Sequence, residues 1–463
     1  MGITAAYMVP HPPLIVPDVG RGGEKEIKKT TDSYERVAKE IASIKPDTIV
    51  IISPHSIMYG DYFHISPGDG AVGSFARFGA PQVAFEEEYD KEFVVVLESR
   101  LYADDFPGGT LGERDRELDH GTMVPLYFIR KYYQGGKIIR IGLSGLSLSD
   151  HYKLGIYIRE VAEDLGRNTV IVASGDLSHK LQEYGPYGFD PAGPVYDKKI
   201  MEAASEADFG GMMEFDENLL DKAAECGHRS FVIMAGTLDG VDVKTEVLSH
   251  QDVTGVGYGI CIFEPGEKNE NRHFLTVLSE RVKSSDSAPY VKLARATIEQ
   301  YVRTRKKLRF PKDLPEGLEK ELPPEATSDR AGAFVSVHKS GSLRGCIGTI
   351  GPVQDSIAEE IISNAVSAVS RDPRFSPVRE DELDLLEISV DILGKPEDIV
   401  GPDQLDVKHY GVIVSCGSRR GLLLPDLEGV DTVEEQIDIA RRKGGIDPDE
   451  DYKLQRFEVI RYR

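Results

Sequence analysis

The chain has 463 residues, of which 29% are charged and 40% hydrophobic. This is the composition of a folded globular protein, and the length favours two or three domains. A formal net charge of −23 at pH 7 argues against nucleic-acid binding, because contact with the phosphate backbone needs a basic surface. Apolar stretches stay well short of the ~20 residues that span a bilayer, and the amino terminus has no signal-peptide pattern. We therefore predict a cytoplasmic protein without membrane or nucleic-acid partners.

In the first half of the chain, three short apolar runs are each followed by a histidine. The runs cover residues 3–9, 48–52 and 169–173, and the histidines are His11, His55 and His179. Each run has the length and β-branched content of a buried strand. Helical patterns at 26–44 and 151–165 and a further apolar run at 138–143 alternate with them. This order predicts an α/β domain with a mostly parallel central sheet.

In such a sheet, ligands bind at the carboxyl ends of the strands. The histidines are therefore expected to meet at one metal site. Two histidines and one carboxylate with open coordination positions are the ligand set of non-heme Fe(II) oxygenases. We assign the nitrogens to His11 and His55. Glu225 is the candidate carboxylate, because it lies in a polar cluster that interrupts an apolar helical pattern over residues 219–238.

Two further histidines are candidates for catalysis. His179 follows Asp176 by three residues, and a carboxylate that orients an imidazole would make it an acid/base near neutral pH. His120 lies in a polar segment just before an apolar one and is expected to face the cleft.

The motifs Pro-His-Pro-Pro at 10–13, Ser-Pro-His at 53–55, Leu-Asp-His-Gly at 118–121 and Ser-Gly-Asp-Leu-Ser-His at 174–179 together resemble the LigB-type, class III extradiol ring-cleavage dioxygenases. The resemblance covers residues 1 to about 265. It implies Fe(II) bound by His11, His55 and Glu225, an acid/base at His179, and His120 in contact with substrate or oxygen. The implied substrate is a catechol-like small molecule.

The sequence Glu-Cys-Gly at 225–227 also resembles the Memo proteins, which share this fold but have cysteine in the metal site and lack established ring cleavage. Glu225 and Cys226 are adjacent, so either could be the third ligand, and a thiolate would shift the preference towards copper or zinc, or towards a redox role. His228 is either a ligand, an outer partner of the site or a polar residue at a helix start, and we favour the last.

A polar segment at 264–271 ends an apparent closing strand. We place the first domain at 1–267, a linker at 268–285 and the second domain at 286–463. The second domain is predicted to be α+β with mixed strand pairing. Its predicted helices are 290–305, 353–370 and 432–443, its strand 385–393, and its hairpins 333–350, turning at 339–342, and 411–425.

The segments 343–350, 371–378 and 409–425 resemble the AMMECR domain family, which has no settled activity. Arg344 beside Cys346 would favour a reactive thiol, although a small apolar cysteine in a strand is the simpler interpretation. The arginines of this domain form either an anion site or carboxylate pairs. They are Arg371, Arg374, Arg419 and Arg420.

Chains that join these two domain types resemble the AmmeMemoRadiSam system, which implies a Memo-like protein and a radical-SAM enzyme as partners. Self-association into a homo-oligomer stays open. The leading hypothesis is an Fe(II)-dependent, extradiol-type oxidoreductase fused to an AMMECR-type domain. The alternatives are a Memo-like iron or copper redox protein without ring cleavage, and a partner-binding protein of the radical-SAM system.

Overall fold

The computed structural model describes residues 2–114, 116–285, 287–339, 342–427 and 429–463. The chain forms two compact units, Met1–Leu278 and Ser279–Arg463. The division falls inside helix α10 (Phe274–Ser285), which lies within the segment 268–285 assigned to a linker. Among the described residues, none of the helices has the length and apolarity needed to cross a membrane.

Unit 1 is built around a six-stranded sheet of order β7-β2-β8-β1-β10-β9. The strands of unit 1, including two short pairs outside this sheet, β3 with β6 and β4 with β5, are β1 (Ile3–Val9), β2 (Thr48–Ser53), β3 (Phe63–His64), β4 (Gly70–Phe75), β5 (Ala80–Glu88), β6 (Gly108–Gly109), β7 (Lys137–Gly142), β8 (Thr169–Ser174), β9 (Val241–Gln251) and β10 (Tyr258–Lys268). Its helices are α1 (Pro17–Gly20), α2 (Lys28–Ile44), α3 (Lys91–Ala103), α4 (His120–Tyr132), α5 (Leu148–Asp164), α6 (Ala192–Glu206), α7 (Phe209–Met212), α8 (Glu217–Ala223) and α9 (His228–Gly236).

The central sheet is mostly parallel, as predicted. Strands β7, β2, β8 and β1 run parallel, while β10 and β9 are added antiparallel at one edge. Along β1, Ala6 and Met8 pack into one buried cluster with α5 and α9, whereas Tyr7 and Val9 pack into another with α2 and α4. Because both faces are covered by helices, the parallel strands are almost continuously apolar. Since β2, β8 and β1 are adjacent and parallel, their carboxyl ends lie side by side at one edge of the sheet.

Unit 2 contains a seven-stranded sheet of order β12-β11-β13-β17-β15-β16, with β14 paired to β17. Its strands are β11 (Ala333–Lys339), β12 (Ser342–Gly348), β13 (Leu386–Leu393), β14 (Glu397–Ile399), β15 (Tyr410–Cys416), β16 (Arg419–Leu423) and β17 (Lys453–Tyr462). Its helices after α10 are α11 (Pro289–Thr304), α12 (Leu318–Glu321), α13 (Glu325–Ser328), α14 (Ile357–Ser370) and α15 (Val433–Lys443).

The predicted mixed pairing in unit 2 is wrong, because every strand pair among its described residues is antiparallel. Short hairpins join β11 to β12 and β15 to β16, and neighbouring strands joined in this way can only be antiparallel. The turn predicted at 339–342 includes residues 340 and 341, which lie outside the described residues. Helices α11 and α14 pack on one face of β11 and β13, and the opposite face borders a cavity.

Candidate metal centre

His11 and His55 meet at the carboxyl edge of the central sheet. His11 lies two residues beyond the end of β1 and His55 two residues beyond the end of β2. Strand β8 lies between β1 and β2 in the sheet. The two Nε2 atoms are 2.9 Å apart. His11 is buried, with 1% of its surface exposed, while His55 faces solvent. One nitrogen donor thus comes from the protein interior and one from the open side.

The tautomer of His11 is set by Ser174, the last residue of β8. Its hydroxyl lies 3.0 Å from His11 Nδ1 and donates to the carbonyl of Gly121 at 2.6 Å. Because a hydroxyl has one proton, Nδ1 must be the donor to Ser174. The lone pair on Nε2 therefore faces the site, as in metal-ligating histidines whose other nitrogen donates to an outer partner. In the sequence Ser174 belongs to the motif at 174–179, but no role was predicted for it. Its position at the end of a strand, next to the other strand-end residues of the site, could have indicated one.

Cys226 completes a three-residue group with the two histidines. Its Sγ lies 3.6 Å from His11 Nε2, and the donor atoms of His11, His55 and Cys226 all lie within 4.8 Å of one another. The backbone N–H of Asp176 donates to Sγ at 3.3 Å. Burial, with the nearby Asp176 and Glu225, raises the pKa of the thiol well above its ordinary value. The structure thus places Cys226, the alternative third ligand of the sequence analysis, beside the two histidines.

Glu225, the first-choice carboxylate, does not join this group. Its Oε2 accepts from the backbone N–H of His228 at 2.6 Å, at the start of α9. Burial raises its pKa to about 7, although this hydrogen bond opposes the rise. The apolar helical pattern over 219–238 corresponds to two helices, α8 and α9, and between them Ala224 adopts a left-handed conformation with φ 52°. The turn sends Glu225 to the helix start and Cys226 to the histidines.

His228 is a buried residue of the helix start, the interpretation that we favoured. Its Nε2 lies 2.9 Å from the carbonyl of Met212, and its Nδ1 lies 3.3 Å from the hydroxyl of Tyr196. Both ring nitrogens have partners away from the metal group. Burial lowers the pKa of His228 to about 4.

Asp176 and His179 lie next to the same group, with Cys226 shared between them. The donor atoms of Asp176, His179 and Cys226 are within 4.8 Å of one another. Asp176 Oδ1 accepts from the backbone N–H of His11 at 2.8 Å, and the described residues show no hydrogen bond between Asp176 and His179. Asp176 thus holds the backbone of His11, whereas the sequence suggested that it orients His179.

The His179 ring stacks on Tyr187, with centroids 5.0 Å apart. Its Nε2 is buried and has no hydrogen-bond partner among the described residues. Burial, with a smaller contribution from His55, lowers the pKa of His179 to about 4. The ring is therefore neutral at pH 7 and has a nitrogen available to a bound molecule.

His120 faces the cleft, at the start of α4. Its ring stacks on His55 with centroids 4.1 Å apart and lies 5.3 Å from the ring of His11. The helix is capped by Asp119, which accepts from the backbone N–H of Thr122 at 3.0 Å. Asp119 also accepts from the hydroxyl of Ser53 at 2.5 Å, so the cap ties His120 to the end of β2.

The donor set suits a transition metal. Imidazole nitrogens and a thiolate together bind zinc, copper and iron, whereas magnesium and calcium prefer oxygen ligands. His11 has an outer partner that fixes its tautomer, and Cys226 has a backbone donor. The residues present therefore fit a metal ion.

Comparison with known proteins decides the family. The family described as the catalytic LigB subunit of aromatic ring-opening dioxygenase matches residues 5–261, and the family AMMECR1 matches residues 291–463. The chain is a LigB-family protein. Its LigB domain is followed by an AMMECR1 domain, as the motifs predicted.

Similar chains match this one over its whole length or over part of it. The protein CA_C1420 of Clostridium acetobutylicum is 42% identical over 477 aligned positions, which cover 100% of both chains. A protein of Thermotoga maritima is 52% identical over 177 positions, which cover 38% of this LigB-family chain and 97% of that relative. The crystal structure of the uncharacterized protein PH0010 from Pyrococcus horikoshii is 34% identical and covers 37% of this chain and 88% of its own, with a TM-score of 0.33.

In the AMMECR1 domain, Arg344 and Cys346 lie on opposite faces of β12. Val337 pairs with Gly345 and His338 with Leu343, which makes Arg344 the extra residue of a β-bulge. Its guanidinium donates to both carboxylate oxygens of Glu382 at 2.9 and 3.0 Å. Arg344 therefore pairs with Glu382 on the face of β12 away from Cys346, which agrees with the simpler interpretation of Cys346 as a small strand residue.

Proposed function

We propose that the LigB domain binds a redox-active iron or copper ion through His11, His55 and Cys226 and acts as a Memo-like metal-dependent redox protein. The observation that supports this most is the thiol of Cys226, 3.6 Å from the Nε2 of His11. In the extradiol ligand set expected from the sequence, the carboxylate is Glu225, and that side chain is held at the start of α9.

A bound iron or copper ion would supply electron transfer. The protein supplies the orientation of the donors. Ser174 fixes the tautomer of His11, and Asp176 accepts from the His11 backbone while its own backbone N–H donates to Cys226. Outer hydrogen bonds of this kind typically contribute about 10–100-fold to metal affinity.

The test is metal analysis of the anaerobically purified protein, followed by exchange of the metal for Co(II). The wild type should hold about one metal ion per chain and show thiolate-to-cobalt charge-transfer absorption in the near ultraviolet. Cys226→Ser should lose that absorption, and the double variant His11→Ala, His55→Ala should lose the metal. Glu225→Gln should keep the absorption, because its side chain is not a donor in this proposal.

Cys416→Ser is the matched control, since Cys416 is a half-buried cysteine of the second unit. This substitution should leave the spectrum unchanged. Charge-transfer absorption that survives Cys226→Ser, or that is lost in Glu225→Gln with native circular dichroism, would contradict the assignment of the third ligand.

A second candidate is extradiol ring opening of a catechol-like substrate by an Fe(II)-loaded LigB domain. It is supported by the family match and by His179, whose neutral ring has a buried, unpartnered Nε2 beside the metal group. In this role His179 accepts a phenolic proton and later returns it. Oxygen consumption with a panel of catechols tests this, and His179→Gln should abolish it while metal content stays unchanged. Absence of oxygen uptake by the iron-loaded wild type would refute ring opening and leave metal binding intact.

Assembly with a Memo-like protein and a radical-SAM enzyme stays a prediction. If the chain serves only as such a partner-binding protein, the His11→Ala, His55→Ala variant should bind those partners as the wild type does. A binding measurement with the purified proteins separates this function from the metal-dependent ones.

A further inference from the structure

Unit 2 contains a cavity of about 1260 Å³. It lies against the face of the antiparallel sheet that α11 and α14 leave uncovered, and its walls come from β11, β12, β13, β16 and β17. Phe334, Leu343, Ile350, Leu422 and Leu424 supply an apolar wall. Its lining combines these apolar side chains with polar and charged groups, as the linings of small-molecule sites do.

The bulge in β12 shapes this cavity. In a regular strand, residues two apart share a face, so Leu343 would lie opposite Cys346. The extra residue Arg344 brings Leu343 onto the same face as Cys346, and both line the cavity. The Sγ of Cys346 accepts from the hydroxyl of Ser336 at 3.2 Å. A half-buried thiol thus lies in the cavity wall.

The cavity is rich in positive charge, although the whole chain is strongly acidic. Five cationic side chains line it. They are Arg374, Arg420, Lys443, Arg461 and Arg463. Arg374 is paired with Asp372 at 2.7 Å, and Arg461 with Asp391 at 2.8 Å.

The other three cations have no carboxylate partner among the described residues. The Nη2 of Arg420 donates to the amide oxygen of Gln455 at 3.1 Å. Lys443 and Arg463 form neither a hydrogen bond nor an ion pair within the described part of the chain. The carboxylates of the lining are Asp391, which Arg461 already pairs, and Glu387. The lining therefore has an excess of positive charge that an anion can neutralise.

The guanidinium of Arg374 lies beside Cys346, since its Nη2 donates to the Cys346 carbonyl at 3.4 Å. For four arginines the sequence left open an anion site or carboxylate pairs, and of these Arg374 and Arg420 line the cavity. Arg419 instead pairs with Glu450 outside it, and Arg371 does not border it.

We propose that this cavity binds a small organic anion, a carboxylate or a phosphate monoester with an apolar body. Its charged group contacts Arg420 and Lys443, at the place where the end of α15 meets β16, and its apolar body packs against Phe334 and Leu422. Arginine suits both head groups, because its planar fork matches the oxygens of carboxylates and phosphates. Cys346 lies beside the bound molecule and reports its presence. This site is independent of the metal centre in unit 1.

The experiment measures the rate of iodoacetamide alkylation at each cysteine of the full chain by peptide mass spectrometry. The probes are phenyl phosphate, benzoate, inorganic phosphate and benzyl alcohol. Phenyl phosphate or benzoate should slow alkylation of Cys346 about tenfold at a concentration of about ten times Kd, and the stronger of the two identifies the head group. Cys416, half-buried in the same unit but outside the cavity, should react at an unchanged rate.

Arg420→Gln and Lys443→Gln should each abolish most of the protection. The matched control is Arg442→Gln, since Arg442 neighbours Lys443 but pairs with Asp438 on the outside of α15. This variant should retain the protection of Cys346. The proposal is overturned if neither organic anion protects Cys346 in the wild type, if benzyl alcohol protects as well as the anions, or if Cys416 is protected equally. The wild-type result decides even where a variant folds poorly.

Discussion

Gly175→Ala is expected to disrupt the metal centre although residue 175 has no side chain in the site. Gly175 follows β8 directly, and Gly227 follows Cys226. The two glycines pack backbone to backbone, and the N–H of Gly227 donates to the carbonyl of Asp176 at 3.1 Å. Their contact therefore sets the distance between the loop of Asp176 and the loop of Cys226.

The size of the effect follows from the space available. A Cβ on Gly175 would lie 2.1 Å from the Cα of Gly227, whereas ordinary van der Waals contact begins at 3.4 Å. The loops must then separate by about 1.3 Å, and because the opposing atoms are backbone, no side-chain rotation relieves the clash. Overpacking of this kind costs about 1–3 kcal/mol. Displacement of Cys226 from His11 should also weaken metal binding about 10–100-fold, as loss of outer support does at other sites.

Two measurements check this. Urea unfolding of the metal-free protein gives the change in the free energy of unfolding of unit 1, and competition with a chelator gives the change in affinity for Co(II). Gly23→Ala is the control, because a Cβ on Gly23 meets no atom within 4 Å and should change stability by less than about 0.5 kcal/mol. If Gly175→Ala matches the wild type in both measurements, the close apposition of the loops is refuted.

Two further predictions concern single hydrogen-bonded groups. Ser174→Ala removes the acceptor of His11 Nδ1 and should lower Co(II) affinity about 10–100-fold in chelator competition, while Ser43→Ala, an exposed serine, should not. In unit 2, burial raises the pKa of Glu382, but Arg344 and Lys339 outweigh burial and hold it below its ordinary value. This carboxylate therefore stabilises unit 2 above its unfolded pKa of about 4.3 and loses that contribution as the pH falls through the lower folded value. Urea midpoints of the wild type and Arg344→Met should differ at pH 7 and converge under acid; an unchanged difference would contradict the pairing.

The meeting of His11 and His55 could be predicted from the sequence because it follows from the sheet. Apolar runs that end in proline or serine are buried strands, and adjacent parallel strands end at the same edge. The same argument placed His179 and Asp176 there. Partners that depend on side-chain direction could not be predicted in this way, which is why Asp176 was expected to orient His179 and instead holds the backbone of His11.

The third donor could not be chosen from the sequence, because Glu225 and Cys226 are adjacent and a turn decides which one faces the histidines. The turn depends on the left-handed Ala224, and the polar cluster in the apolar pattern does not show which way the chain turns. Arg344 shows the same limit in a strand. Two residues from Cys346, it is expected on the same face, and a single inserted residue in the pairing reverses that.

The proposed metal donors are far apart in the chain, at positions 11, 55 and 226. A nascent chain that ends before Cys226 contains two of the three proposed donors, so the full donor set exists only when most of the LigB domain has been synthesised. Bringing donors together from such distant positions costs conformational entropy. Once the sheet has folded, the donors are already close, and metal binding no longer carries that cost. Metal loading should therefore come late in biogenesis, after the sheet has assembled. A bound ion would then cross-link segments from the beginning and the end of the domain.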